Sequence, residues 1–207
     1  MPNRMTHREQ DFEPPSGCEE WKSIHPDDLW VYNKLIIATK LGYHCGPTGV
    51  KVPQSGEYIV RPTMNLLGMG VGAERKFISS ETDHLHPSLF WSEIFSGEHL
   101  SVDFHNQQPE LIVKGLRDEQ DPLWRWRMWY KVERLVFFPD ILQNLSGNYE
   151  WINCEFIGGK LIEVHFRRNP DFRYGNSMAI PVWEGEEIKD MTYVEDGDFK
   201  RKGFYIK

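Results

Sequence analysis

The sequence has few cysteines and no long hydrophobic run. Its three cysteines, Cys18, Cys45 and Cys154, are odd in number and show no CxxC spacing. This pattern argues against a disulfide framework or a zinc site, and it predicts reduced thiols in a cytoplasmic protein. The N-terminal residues contain no apolar core, so we expect no signal peptide, and no run approaches the length that spans a membrane.

The sequence also lacks an excess of basic residues. Of its 207 residues, 24 are Lys or Arg and 31 are Asp or Glu, which gives a formal net charge of −7. Because nucleic acids and anionic membranes repel an acidic surface, the net charge argues against general binding to either, and a local basic patch stays open. The alternation of Trp and Arg from Trp124 to Trp129 is compatible with stacking on bases. It also describes a strand with one buried face, and the net charge favours this interpretation, with a predicted strand from Leu123 to Val132.

The sequence does contain enough apolar material for a core, with 40% hydrophobic and 14% aromatic residues. Residues 1–24 are polar and interrupted by Pro and Gly, which predicts a flexible lead-in. We expect a first lobe at residues 25–95 and a second lobe at residues 96–207. The first lobe opens with a predicted helix that begins at Pro26, has acids in its first turn and ends at Gly42.

A predicted strand of the first lobe, Tyr58 to Arg61, is followed by glycine at every second position, at Gly68, Gly70 and Gly72. Such glycines let backbone N–H groups approach an anion closely. The spacing matches neither the Walker A pattern nor the GxGxxG pattern. A phosphate-binding loop and an ordinary flexible hairpin loop both stay open, and the position of Arg61 at the end of the strand supports the first.

In the second lobe, the segment from Trp151 to Arg168 alternates polar and apolar residues around Gly158-Gly159, which predicts a β-hairpin. A three-residue loop, Gly158 to Lys160, keeps the two kinds of residue on separate faces. The predicted apolar pairs are Ile152 with Phe166, Cys154 with Val164, and Phe156 with Ile162. The predicted polar pairs are Glu155 with Glu163 and Asn153 with His165.

Opposed carboxylates on such a hairpin lie about 5 Å apart and repel each other by roughly 3 kcal/mol at an effective dielectric of about 20. A shared proton, a neighbouring cation such as Arg167, or a bound divalent metal relieves this repulsion. A solvated sheet face is the alternative. Asn153 and His165 extend the patch of oxygen and nitrogen ligands beside Glu155 and Glu163, which favours a site for Mg²⁺ or Mn²⁺.

The order of these features along the chain carries a resemblance to a known family. Asn33-Lys34 on a helix is followed by a strand ending in Arg61-Pro62, the glycine loop, the run EIFSGEHLSV from Glu93, and a hairpin ending in EVHFR. This order resembles the ATP-grasp superfamily over roughly residues 29–168. The resemblance implies an α+β fold in which two small lobes with antiparallel sheets hold a nucleotide between them.

The resemblance also implies roles for individual residues. The phosphate-binding positions match Lys34, Arg61, Gly68, Gly70 and Gly72. The linker that pairs with adenine matches Glu93, Ile94 and Phe95, and the ribose-binding position falls near His99. The metal ligands match Glu155, Glu163 and His165, and the basic residue that follows them matches Arg167.

This sequence departs from the family's pattern in three ways. Arg61 replaces a lysine, which keeps the charge and allows a bidentate grip on phosphate, and it resembles a group within the superfamily that has this exchange. His165 replaces an asparagine, which suits Mn²⁺ better than Mg²⁺. Only about 28 residues precede the first matching motif, so we expect no separate acceptor-binding domain. A macromolecular acceptor and a homodimer that supplies the missing wall are both compatible with this.

The reaction that the resemblance implies is the ATP-dependent joining of a carboxylate to an amine through an acylphosphate, with release of ADP. ATP and Mg²⁺ or Mn²⁺ are the implied cofactors, and Arg61 and Arg167 the implied catalytic residues. The carboxylate and amine are small molecules, peptides or protein-borne groups. A kinase of the same superfamily, a non-catalytic nucleotide-binding protein and a small β-rich binding protein are the alternatives.

Overall fold

The computed structural model describes residues 4–6, 23–64, 70–186, 190–198 and 200–207. Its strands are β1 (Arg4–Thr6), β2 (Cys45–Pro47), β3 (Gly56–Pro62), β4 (Glu74–Ile78), β5 (Leu89–Ser92), β6 (His99–His105), β7 (Gln108–Leu116), β8 (Met128–Lys131), β9 (Trp151–Ile157), β10 (Lys160–His165), β11 (Met178–Trp183), β12 (Thr192–Asp198) and β13 (Arg201–Ile206). Its helices are α1 (Lys34–Lys40) and three 3₁₀ helices at Pro26–Tyr32, Asp140–Leu145 and Pro170–Phe172.

The strands form two sheets. The larger sheet has nine strands in the order β1-β12-β13-β11-β8-β7-β6-β9-β10, and the smaller has four in the order β2-β5-β3-β4. Neighbouring strands are antiparallel, apart from the parallel pair β1 and β12. The predicted α+β class with two antiparallel sheets is confirmed. Residues 93–98 link the smaller sheet to the larger one, and the predicted lobe boundary after residue 95 falls within this link.

The helix α1 packs against the larger sheet, although the sequence predicts it as part of the first lobe. Its buried residue Ile37 shares a core with Leu161 and Val164 of β10. The smaller sheet has a separate core that includes Val60 and Trp91. Lys34, the first residue of α1, is therefore held beside β10, the strand that carries Glu163 and His165 of the predicted site.

The helix predicted from Pro26 to Gly42 is interrupted at Asn33. This residue has extended backbone angles, φ −94° and ψ 102°, and its side chain accepts hydrogen bonds from the backbone N–H groups of Leu35 and Ile36. Asparagine is a favoured N-cap because its side chain satisfies these donors. A 3₁₀ helix therefore precedes Asn33 and α1 follows it, so the prediction of one continuous helix is wrong.

The β9–β10 hairpin has the predicted polar register but a different turn. Gly158 (φ 56°) and Gly159 (φ 80°) form a two-residue turn that pairs Lys160 with Ile157, so the predicted three-residue loop is wrong. Two consecutive left-handed residues are what a type I′ turn requires. The sequence prediction excluded this turn because it mixes the two faces of the hairpin.

A β-bulge between Leu161 and Glu163 restores the register beyond the turn. Glu155 therefore pairs with Glu163, Asn153 with His165 and Cys154 with Val164, as predicted. Phe156 pairs with Leu161 instead of Ile162. As a consequence Leu161 enters the apolar core and Ile162 lines a cavity on the other side.

The Trp-rich segment forms less strand than the sequence predicts. Only Met128–Lys131 is a strand in a segment predicted to be extended from Leu123 to Val132. Trp129 is buried in a core with Val113 and Phe204, in agreement with the predicted buried face. Trp126 instead lies in a bend before the strand and lines a cavity.

Part of the predicted lead-in, Arg4–Thr6, pairs with β12, and the rest of residues 1–22 lies outside the described residues. Cys45 and Cys154 are free thiols, as predicted, while Cys18 also lies outside the described residues. Of the helices that the structure describes, none has the length and apolar character needed to cross a membrane.

Candidate active site

A large cavity lies between the two sheets and the segment that links them. The smaller sheet contributes Ile59 and Arg61 to its wall, and the larger sheet contributes residues of β6, β9 and β10. Many residues that the sequence predicts as site residues line it: Lys34, Arg61, Gly70, Glu93, Ile94, Phe95, His99, Glu155, Glu163, His165 and Arg167. These residues come from five separate parts of the chain, so the fold brings the predicted site together.

Glu163 is buried in this cavity between Lys34 and His165. Its Oε2 lies 3.0 Å from Lys34 Nζ, and its Oε1 lies 2.9 Å from His165 Nε2. Burial raises the pKa of Glu163, but the Lys34 ammonium and His165 outweigh it, so the pKa lies well below its usual value. Glu163 is therefore an ionised carboxylate in the floor of the cavity.

Glu155, the other acid of the pair, has its own partner. Its Oε2 lies 3.0 Å from His99 Nε2, and both side chains are partly exposed. The Lys34 ammonium beside Glu163 relieves the repulsion between the two acids, and a neighbouring cation is one of the three predicted means. The predicted cation was Arg167, whereas Lys34 and His99 supply the contacts. Arg167 lines the cavity nearby and donates from Nη1 to the carbonyl of Arg168.

The predicted metal ligands are close to one another but do not form a ready metal site. Among the described residues, no group of three or more His, Cys, Asp or Glu side chains is arranged to hold a metal ion. Both oxygens of Glu163 are occupied by Lys34 and His165. Two ionisable carboxylates and an imidazole facing one cavity still form a donor set that suits Mg²⁺ or Mn²⁺. The metal site therefore stays a prediction.

Arg61 projects from β3 toward the two acids. Its guanidinium lies over the Phe90 ring, 5.2 Å from the ring centre, and its Nε is buried without a hydrogen-bond partner among the described residues. Burial lowers the pKa of Arg61, while the charges of Glu163 and Glu155 act to raise it. A buried donor that lacks a partner costs free energy, so this side chain is suited to an anionic ligand.

The glycines of the predicted phosphate loop divide into three cases. Gly70 has φ 71°, lines the cavity and has open space where a Cβ would lie. Gly72 has φ 86°, and a Cβ there would lie 3.2 Å from the ring of Pro62, so this glycine serves close packing. Gly68 lies outside the described residues, as do residues 65–69 as a whole.

The segment that links the sheets is fixed on one side. The backbone N–H of Glu93 donates to the carbonyl of His44, and the N–H of His44 donates to Glu93 Oε1, both at 2.9 Å. Phe95 packs edge-on against Tyr43 with ring centres 4.8 Å apart. The predicted adenine-binding residues therefore border the cavity, while the Glu93 carboxylate anchors the link.

A buried polar network beside the acids was not identified from the sequence. Asp103 is 1% exposed and accepts hydrogen bonds from the backbone N–H of Asn169 (2.9 Å) and from Asn153 Nδ2 (2.8 Å). Asn153 Nδ2 also donates to Ser101 Oγ. Burial raises the pKa of Asp103, and these hydrogen bonds and Arg168 oppose the rise. The alternation of Ser101 and Asp103 on β6 was the available sequence signal.

Comparisons with known proteins bear on the fold alone. No protein-family model matches the chain, and no curated protein matches it. Among solved structures, the chain is similar to an ATP-grasp superfamily protein from Archaeoglobus fulgidus, with 13% identity, a TM-score of 0.49, and coverage of 86% of this chain and 64% of that one. It is also similar to carboxyaminoimidazole ribonucleotide synthase from Aspergillus clavatus complexed with ATP, with 11% identity, a TM-score of 0.48, and coverage of 85% and 67%.

A third similar structure is the ATP-grasp ligase PsnB complexed with a minimal precursor, with 11% identity, a TM-score of 0.42, and coverage of 72% of this chain and 56% of that one. The chain spans about half to two thirds of the length of these three solved chains.

Proposed function

We propose that the protein is an ATP-dependent ligase of the ATP-grasp type, which joins a carboxylate to an amine and releases ADP. The observation that carries this proposal is the placement of two opposed acids, Glu155 and Glu163, in a cleft that Lys34 and Arg61 also face. Acids that hold metal and cations that hold phosphates are the parts that phosphoryl transfer needs. The similarity of the sequence to the superfamily supports the same assignment.

The phosphates of ATP are held by Arg61, by Lys34 and by backbone N–H groups of the turn at Gly70. Arg61 lines the cavity, and its buried Nε has no hydrogen-bond partner among the described residues, which supports a bidentate contact with a phosphate group. Lys34 pairs with Glu163 at the start of α1, where its ammonium is also available to a neighbouring phosphate. Glu93, Ile94 and Phe95 border the adenine, and His99 the ribose.

Glu155, Glu163 and His165 would hold Mg²⁺ or Mn²⁺. When bound, the metal would neutralise negative charge on the phosphates of ATP. The two carboxylates already lie opposite each other on paired strands. The basic partners Lys34 and His99 keep this cluster of negative charge stable in the absence of ligand.

The reaction has two steps. A carboxylate oxygen of the substrate bonds to the γ-phosphorus as the bond from that phosphorus to the β,γ-bridging oxygen breaks, which gives an acylphosphate and ADP. The amine nitrogen then bonds to the acyl carbon, the bond from that carbon to the phosphate oxygen breaks to release inorganic phosphate, and the phosphate takes up the proton that the amine loses. Arg167, which lines the same cavity as the acids, would stabilise the tetrahedral oxyanion of the second step.

The test is ADP release measured across mixtures of carboxylates and amino acids, with and without hydroxylamine. A ligase releases ADP only with its carboxylate, and hydroxylamine traps the acylphosphate as a hydroxamate. ADP release with a stable phosphorylated product and no hydroxamate would indicate a kinase. If no mixture supports ADP release, although calorimetry detects binding of ATP with Mg²⁺ or Mn²⁺, the protein is a nucleotide-binding protein without catalysis. Absence of both would leave the β-rich binding protein.

A further inference from the structure

The cavity continues beyond His99 to a part that the proposed ATP site does not use. Here the wall changes from acids to indoles and arginines: its residues are Arg75, Arg117, Leu123, Trp126, Trp129 and Trp183. These residues come from β4 of the smaller sheet and from the β7–β8 and β11 region of the larger sheet. We call this region, defined by these six residues, the indole subsite.

Trp126 is held rigidly at the centre of the indole subsite. It packs over Gly115, where a Cβ would lie 2.6 Å from the indole ring, and its ring centre is 4.6 Å from that of His99 and 4.5 Å from that of Trp129. The carbonyl oxygen of Trp126 accepts a hydrogen bond from Trp183 Nε1 at 2.9 Å. These contacts hold a large aromatic surface in one position before a ligand binds, which lowers the cost of binding.

Arg117 adds positive charge to this aromatic surface. Its guanidinium lies 5.6 Å from the Trp126 ring centre, and its Nη1 donates to the carbonyl of Leu123 at 3.0 Å. Arg75 lines the same cavity from the other sheet. The two guanidiniums thus approach the subsite from opposite walls of the cleft.

Among the described residues, no carboxylate forms an ion pair with either of these two arginines. Burial lowers the pKa of Arg117, and the nearby charge of Arg75 lowers it further. Asp121 opposes the shift, but both of its oxygens are bound by Arg127, at 2.6 and 3.1 Å. Within the part of the chain that the structure describes, neither Arg75 nor Arg117 forms an ion pair. Two like charges that face one cavity are stabilised by an anionic ligand between them.

We propose that the indole subsite binds the amine substrate, and that this substrate carries a carboxylate and a flat apolar group. The inference rests on the proposed ligase function. Arg75 and Arg117 hold the carboxylate from the two walls, and the flat group lies on Trp126. Because two arginines hold this carboxylate, it is not the carboxylate that ATP activates. The amine of the same molecule is therefore the group that reacts. L-Phenylalanine has this chemistry and serves as the probe.

The experiment follows the indole N–H signals of the ¹⁵N-labelled protein by NMR during titration with L-phenylalanine, with and without a non-hydrolysable ATP analogue and Mg²⁺. The Trp126 signal is assigned by its loss in Trp126→Phe. We expect a saturable shift of this signal with L-phenylalanine, and little shift with L-phenylalaninamide, which lacks the carboxylate, or with glycine, which lacks the ring. Arg117→Gln and Arg75→Gln should each weaken binding about tenfold, as loss of a hydrogen bond to a charged group does.

Arg134→Gln is the matched control, because Arg134 pairs with Glu98 and does not line the cavity, and it should bind the probe as the parent does. Arg75 is exposed on β4, so its variant keeps the test valid if Arg117→Gln fails to fold. The proposal is overturned if the Trp126 signal does not move under either condition, if the amide binds equally well, or if both arginine variants bind like the parent. Binding of the ATP analogue is measured separately by calorimetry. If the analogue does not bind, this result contradicts the ligase function but not the binding of L-phenylalanine at the indole subsite.

Discussion

Lys34 Nζ lies 3.0 Å from Glu163 Oε2, and the two side chains are only 4% and 8% exposed. The contact joins the first residue of α1 to β10, and so ties the helix to the strand that carries the acids. It also explains how a carboxylate can face another carboxylate on the neighbouring strand. The ion pair has a structural role in the unliganded protein as well as the role proposed with ATP.

Glu163→Gln should destabilise the protein by about 3–5 kcal/mol, because it removes the carboxylate that faces a buried ammonium. Repulsion between opposed acids alone would predict the opposite sign. Urea unfolding measures the change. Glu155→Gln is the matched control, since its histidine partner is partly exposed, and it should cost less than about 1 kcal/mol. Adding Lys34→Met to Glu163→Gln should restore much of the loss. A Glu163→Gln protein as stable as its parent would contradict the buried pair.

The stability of the protein should fall as the pH is lowered from about 5 to 3, and Glu163 should account for part of the fall. Its pKa in the folded protein lies well below the ordinary value of 4.5, so the unfolded chain takes up the proton first. The stabilisation is present above the unfolded pKa and is lost as the pH falls toward the folded one. Urea unfolding at several pH values should show a shallower slope in Lys34→Met/Glu163→Gln than in the parent. Parallel slopes would mean that this carboxyl is not perturbed.

The sequence predicts which residues face the cleft better than it predicts the turns and helix ends that position them. Opposition of Glu155 and Glu163 follows from strand alternation once the polar residues of both strands are required to share one face, because a slip of one residue would place the two acids on opposite faces. The predicted three-residue loop is wrong, because a bulge that shifts the register has no clear signature in a single sequence. Likewise, the capping role of Asn33 was overlooked because apolar residues continue on both sides of it.

Contacts between distant segments were beyond the reach of sequence patterns. Nothing in the periodicity of α1 indicates that its first lysine meets Glu163, more than 120 residues later. The buried network around Asp103 depends in the same way on the pairing of β6 with β9. Alternation reveals which residues share a face, but not which strands become neighbours.

Gly158→Ala should destabilise the protein more than Gly159→Ala. Both positions have positive φ, which costs an alanine about 1–2 kcal/mol. At Gly158 the added Cβ would also clash with the carbonyl oxygen of Ser96 in the segment that links the sheets, whereas Gly159 has open space. Thermal unfolding compares the two variants. Equal losses would show that the turn does not pack against the link.

Arg61→Ala should weaken ATP binding by about 1.5–3 kcal/mol, the range for a hydrogen bond to a charged group. Arg61→Lys should retain much of the affinity, because an ammonium keeps the charge but loses the bidentate contact. Calorimetric titration with ATP and Mg²⁺ measures both, with Arg134→Gln as a control outside the cavity. Unchanged affinity in a folded Arg61→Ala protein would show that this residue does not bind the phosphates.

The central claim is that ATP and a divalent metal bind together on the opposed acids. It is tested most directly by the thermal stability of the parent and of Glu155→Gln, each with and without ATP and Mg²⁺ or Mn²⁺. Glu155 is the better position to vary because its partner is less buried than that of Glu163. At a ligand concentration a hundredfold above Kd, the parent should gain about 2.7 kcal/mol of stability, and Glu155→Gln should lose most of that gain. Equal gains in the two proteins, or no gain in the parent, would contradict the metal–ATP site.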